Sequence, residues 1–155
     1  MNDPEVTMTD TLPANHPLDA VNLAMEAASI ALALARAVPA PLRPIADQLI
    51  RAVSSVPANL AEGHGRTGRD RLHHWRIAYA SAKEADIHLR LLLGAGAVDR
   101  DRATTALTLL DRSRGATWKL LHPTARESRG AGVQGRGGEA LRGRRAEGRP
   151  NVLTS

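Results

Sequence analysis

The nineteen residues QLIRAVSSVPANLAEGHGR, 48 to 66, carry an apolar line, a polar line, an internal proline and a glycine-marked end. Leu42, Ile45, Leu49, Val53, Val56 and Leu60 recur at steps of three and four, which places them on one side of an α-helix. Gln48, Ser55 and Glu62 recur every seven residues, with Arg51 and Asn59 beside them, and form a second, polar side. Such a helix buries its apolar stripe, while the polar one either faces water or meets polar partners on an adjacent helix. Pro57 has no N–H to offer the carbonyl of Val53, so a bend is expected there unless Ser54, a water or a neighbouring helix takes up the freed acceptor. Gly63 supplies a C-terminal stop and Gly65 the turn beyond it.

Outward from this stretch the chain divides into three parts. Residues 1 to 17 hold Pro4, Pro13 and Pro17 without periodicity and read as a flexible leader. Residues 18 to 123 contain four amphipathic segments with short connections, which predicts an all-α, up-down-up-down four-helix bundle. The first segment runs from about Pro17 to Val38, with Val21, Met25, Ala28, Leu32 and Ala35 as its seam and alanines dense enough for close helix approach. The second, Leu42 to Glu62, follows the stiff linker PAPLRP.

The third segment opens at Gly68 behind a capping box at Thr67 and Asp70. Its heptad line is Leu72, Trp75, Tyr79, Ala82, Asp86, Leu89 and Leu93, and a largely polar line, Ile77, Ser81, Glu84 and His88, faces the second segment. Gly94 and Gly96 end it, and Asp99 or Asp101 caps the fourth, whose inner face is Ala103, Leu107, Leu110, Arg114, Thr117 and Leu121 with Ala106 and Trp118 beside them. Residues 124 to 155 alternate glycine and arginine without apolar spacing and read as a disordered basic tail.

Composition narrows the function. The 155 residues suit one domain, and the absence of cysteine excludes disulfide and thiolate chemistry. There is no phenylalanine, so Leu, Ala, Val and Ile must build the core. The net charge of +5 is uneven: residues 124 to 155 hold seven arginines against three glutamates, and residues 1 to 123 hold fourteen basic against thirteen acidic side chains. The acidic N-terminus lacks the features of an export signal, and the longest greasy run, 27 to 35, is far short of the roughly 20 residues that span a bilayer. A soluble cytoplasmic protein with no membrane partner is expected.

The run RAVSSVPANLAEGHGR, followed at fixed distance by LHHWRIAYASAKEADIHL, resembles the signature of the four-helix-bundle proteins first named for intervening sequences in 23S ribosomal RNA genes. The matching positions include Gln48, Arg51, Ser55, Pro57, Asn59, Glu62, Gly63, Gly65 and Arg66, then Leu72, Trp75, Ser81, Glu84 and Leu89, and the resemblance spans residues 18 to 122. Trp75 stands where phenylalanine is usual, and Ala80 and Ala82 replace glycine and leucine. The resemblance implies kinship with the accessory variability determinant proteins of diversity-generating retroelements, which form pentameric barrels and bind nucleic acid together with a reverse transcriptase.

Other motifs point to less. Residues 63 to 68, GHGRTG, match the dinucleotide fingerprint and Asp86 lies about 20 positions on, but a helix and not a strand precedes them. What survives is a loop before a helix N-terminus where Arg66, Arg69 and Arg71 can hold a phosphate, with a solvated turn as the alternative. His73, His74 and His88 lack the paired Glu-x-x-His motifs of a bundle metal site, so no metal or cofactor is expected. Ser54 and Ser55 have no nucleophile setting, and Glu62 and Glu84 have Arg51 and Arg66 to neutralise them. A polar network of Gln48, Arg51, Asn59, Glu62, Ser81 and Glu84 that fixes helix register is preferred to catalysis. The aromatics Trp75, Tyr79 and Trp118 are expected in the core or at a subunit contact, since all lie on apolar seams.

The reading is therefore a non-enzymatic, self-associating adaptor. The resemblance implies a homo-oligomer, a pentamer, and the continuous seam with a partly apolar flank on the third segment agrees with self-association. Nucleic acid, as structured RNA, is the expected ligand, with Arg43, Arg51, Arg66, Arg69, Arg71 and Arg76 as contacts and Arg36 and Arg90 nearby. The alternative is a protein-interaction module that docks on an enzyme such as a reverse transcriptase and binds no nucleic acid itself.

Overall fold

The computed structural model describes residues 17 to 123. The tail over 124 to 155 and the leader up to residue 16 lie outside the described residues, while Pro17 belongs to the first helix. Four helices follow in order: α1 (Pro17–Arg36), α2 (Arg43–His64), α3 (Gly68–Gly94) and α4 (Arg100–Leu121), with a single 3-10 turn, Ala40–Leu42, before α2. Among the described residues there is no strand. Each helix packs on its neighbours in sequence, α1 also packs on α4, and the closest pairing is α2 with α3, so the four form an up-down-up-down bundle.

Local chemistry sets the ends. Asp99 caps α4 by accepting the N–H of Arg102 on Oδ1 at 2.9 Å, a contact worth about 1 kcal/mol. Arg43, the first residue of α2, reaches back to give Nη1 to the carbonyl of Ala35 at 3.1 Å and so satisfies the end of α1. At the end of α3, Gly96 takes φ +65, its N–H bonds Leu93 and that of Ala97 bonds Leu92, the paired closure that a left-handed residue allows. Gly94 lies inside the helix with an ordinary backbone. The capping box expected at Thr67 does not form, because Gly68 enters α3 at φ +55 and not through the helical geometry a capping side chain needs.

The core follows the alanines more than the large residues. In α1 the buried face is Ala20, Ala24, Ala27, Ala28, Ala31, Leu34 and Ala35, while Met25 of the expected seam is 53% exposed and Val21 and Leu32 are only half-buried. In α3 the buried line is Trp75, Ala78, Ala82, Ala85, Leu89 and Leu92; Leu72, Tyr79, Asp86 and Leu93 border it. The expected heptad had the right period and a phase displaced toward its bulkier edge. In α4 Ser113, not Arg114, turns inward. Its hydroxyl donates to the carbonyl of Ala20 at 2.9 Å, and Thr117 donates to the carbonyl of Ser113 at 2.8 Å. Against an alanine face two small hydroxyls fit where a guanidinium has no room and no carboxylate to meet.

Two apolar clusters result. One joins Leu34, Leu49, Val53, Leu89, Leu92, Leu107 and Leu110. The other joins Val56, Leu60, Trp75, Ala78 and Ala82 to Ala20 and Ala24. By length and composition α1 (Leu18–Arg36, mean hydropathy 1.5) would suffice to cross a membrane, which the short greasy run had not suggested; here its alanine face is core.

Pro57 is buried within α2. Ser54 does not relieve the carbonyl of Val53, since its hydroxyl donates to Ile50 at 2.7 Å. Gly63 is not the stop: α2 runs on to His64, and Gly65, at φ −76, closes it by bonding Ala61 and Glu62. What Gly63 provides is space. A Cβ there would stand 2.5 Å from Cδ1 and 2.6 Å from Nε1 of Trp75, so the indole lies directly on the backbone of α2.

Gly63→Ala therefore tests this contact. Overpacking costs about 1–3 kcal/mol, and the better helix propensity of alanine returns at most ~1 kcal/mol. Urea unfolding is expected to show a net loss, and in a Trp75→Leu background the same change should become neutral or stabilising.

Candidate nucleic-acid interface

The antiparallel pairing of α2 and α3 brings Ser55 opposite Ser81 and Asn59 opposite His74. Ser81 donates to the hydroxyl oxygen of Ser55 at 3.0 Å. Asn59 gives its Nδ2 to the Ser55 hydroxyl oxygen at 3.0 Å and to the Ser55 carbonyl at 2.9 Å. Its Oδ1 lies 3.1 Å from Nδ1 of His74. An amide oxygen only accepts, so His74 carries its hydrogen on Nδ1, and its Nε2 faces Asp70 at 3.9 Å. These half-buried groups satisfy one another and lock the register of the two helices.

This network is smaller than expected. Asn59 and Ser81 belong to it, whereas Gln48, Arg51, Glu62 and Glu84 are exposed and do not. Glu62 pairs with Arg66, and Glu84 lies 3.6 Å from Nε2 of His88. The reason is reach: where two helices approach closely only short side chains fit between them, and longer ones extend to water. His74 and Ser55 are the members missed. The signal was available, because His74, Ser81 and His88 recur every seven residues, the same step as Gln48, Ser55 and Glu62.

The six expected arginine contacts divide evenly. Arg43 serves the end of α1. Arg66 is held between Glu62, through Nε at 2.9 Å, and Asp70, through Nη1 at 3.1 Å. The hydrogen bond that Arg66 donates to Glu62, and then the charge of Glu62, hold the Arg66 guanidinium above its usual range. Arg71 donates Nε to the carbonyl of Arg66 at 2.7 Å and lies over Trp75, 5.6 Å from the ring centroid. Before α3, Arg66 is thus neutralised by Glu62 and Asp70, while Arg71 keeps its charge and is held by a carbonyl and an indole. Arg51, Arg69 and Arg76 are exposed and, among the described residues, have no carboxylate partner.

Lys83, Arg100, Arg102, Arg112 and Lys119 are likewise exposed without ion pairs. Residues 17 to 123 carry fourteen basic against ten acidic side chains, so the bundle has its own positive surplus. Arg90 is bound by Asp86, whose hydrogen bond holds its guanidinium high. No group of three or more His, Cys, Asp or Glu able to hold a metal occurs among the described residues.

The aromatics separate. Trp75 is core, but Trp118 is 50% exposed, with Tyr79 half-buried beside it at 5.7 Å between centroids and His122 stacked on it at 3.8 Å. Of the two places expected for Trp118, the core or a subunit contact, the core is not where it lies: α4 turns Ser113 and Thr117 inward and leaves the indole at the rim.

A family model described as 23S rRNA-intervening sequence protein matches residues 16 to 116. A crystal structure from Bacteroides thetaiotaomicron, described as a protein of unknown function from the S23 ribosomal protein family, superposes with a TM-score of 0.61 at 18% identity. The match covers 68% of this chain and 96% of that one and concerns the fold alone. No curated protein matches.

The polar seam makes a paired prediction. Asn59→Ala removes three contacts at a half-buried site and is expected to lower the unfolding free energy by about 1–3 kcal/mol. Gln48→Ala, on the water side, is expected to change it by less than about 0.5 kcal/mol in the same urea titration.

Proposed function

Since the chain belongs to the 23S rRNA-intervening sequence protein family, we propose that its bundle is a non-enzymatic, self-associating cytoplasmic adaptor that binds structured RNA. The observation that carries this reading is the set of unpaired cations on the outer faces of α2 and α3, Arg51, Arg69 and Arg76, within a bundle of positive surplus. Phosphate contacts add, and several copies would multiply a modest patch into a strong one. The patch reads backbone, not sequence: all four helices are engaged in the bundle, and none projects as a groove reader.

Self-association is supported by large apolar side chains left at the surface. Ile87 and Leu91 stand one turn apart on α3, and Leu18 and Met25 are exposed on α1. The kinship with accessory variability determinant proteins extends the proposal to a ring of five and to a reverse transcriptase as protein partner. Those same apolar residues favour the second reading, a protein-docking module without nucleic-acid binding.

Filter binding to a structured RNA across a salt series separates the two. Affinity is expected to fall steeply with salt, and the triple change of Arg51, Arg69 and Arg76 to Gln should flatten the log–log slope by about 2–3, near 0.7–0.9 per lost phosphate contact. No binding at low salt would remove the RNA reading. Light scattering at micromolar concentration is expected to give a mass of several subunits, against which a clean monomer would count decisively.

A further inference from the structure

Two of the three aromatic residues in this chain gather at one place on the rim of the bundle, where α3 passes α4. Tyr79 tilts at 46° against Trp118, and the imidazole of His122 lies nearly parallel to the indole, at 28°. His122 Nδ1 is 3.0 Å from the carbonyl of Trp118. A carbonyl can only accept, so Nδ1 carries the hydrogen, the ring is fixed over the indole, and Nε2 is left as an acceptor. The rings therefore hold their order without a ligand.

The charges flanking Tyr79 on α3 that are left without an ion pair are positive. Arg76 and Lys83 stand one turn to either side of Tyr79, exposed and, among the described residues, without a carboxylate partner. The acidic groups of the same two faces are occupied: Asp86 binds Arg90, and Asp111 binds Arg114. A half-exposed indole extended by a fixed imidazole and bordered by free cations has the chemistry of a nucleotide site, with a π surface for the base and positive charge for its phosphate.

We propose that Trp118 and His122, backed by Tyr79, form a stacking platform for an unpaired base of single-stranded RNA, with Arg76 and Lys83 on the adjoining phosphates. The proposal rests on the RNA-binding reading and adds to it a preference for unpaired segments over uninterrupted duplex. A duplex keeps its bases stacked on one another and can use only the cations.

The test uses the full chain, a fluorescent single-stranded RNA 12-mer and a blunt RNA duplex of equal length, followed by anisotropy. Trp118→Leu is expected to weaken single-strand binding about 5- to 150-fold, the span of one base–aromatic stack, and to leave duplex binding unchanged. Trp118→Phe should retain most of the single-strand affinity, and its duplex binding serves as the folding control. Titration with the single strand should quench the tryptophan emission of the wild type and not that of Trp118→Phe, whose remaining Trp75 is buried. If the wild type binds RNA but Trp118→Leu binds the single strand as well as before, the platform is overturned and the adaptor reading stands. If the wild type binds neither RNA, both fall. If Trp118→Leu changes the mass seen by light scattering, the rings are a contact between copies and the platform is overturned.

Discussion

The bundle depends on how closely α2 and α3 can approach. An indole lies on the bare backbone of Gly63, two serines meet across the gap, and an asparagine faces a histidine a turn away. Each contact requires small atoms on at least one side. A bulkier side chain at any of them would push the helices apart and break the others, since all lie along one line of contact. The same rule governs α1, where a face of alanines lets α2 and α4 come close and where serine and threonine of α4 are the largest polar groups admitted. Close packing, more than apolar bulk, is what this sequence encodes.

That explains which parts of the fold were legible in advance. The four helices, their order and the apolar line of α2 could be read from spacing, glycine and the choice of Asp99 or Asp101 as a cap, because these signals are local. The faces of α1, α3 and α4 were harder. Hydrophobicity weights Met25, Tyr79 and Trp118 above alanine, yet alanine occupies the centre of the contacts and the larger residues border it. Period alone points Arg114 inward; Ser113, one position earlier, has the hydroxyl that can satisfy Ala20. A pattern of period seven fixes the step of a helix, while its rotation is decided by the partner.

For the candidate interface the limit was reach. A sequence shows that Gln48, Arg51, Glu62 and Glu84 share a stripe with Asn59, but not that only short side chains on that stripe touch the next helix. Nor does it show which arginines are engaged by their own chain. Arg43, Arg66 and Arg71 serve a helix end, two carboxylates and an indole, and only the folded bundle separates them from Arg51, Arg69 and Arg76. The step of seven through His74 and Ser81 was visible and would have found the network.

The division of the interior into two clusters has its own consequence. One holds seven leucines and two valines besides its alanines; the other has Trp75, Leu60 and Val56 as its bulky members and takes only Ala20 and Ala24 from the buried face of α1. The first two turns of α1 contribute to the second cluster only Ala20, Ala24 and the half-buried Val21, with one serine bond. Amide hydrogens there are expected to exchange by small local openings, and those around Leu49 and Leu89 only when the whole bundle comes apart. The molecule thus has a firm pole and a yielding one, and the yielding pole is the end at which Trp75 meets Gly63.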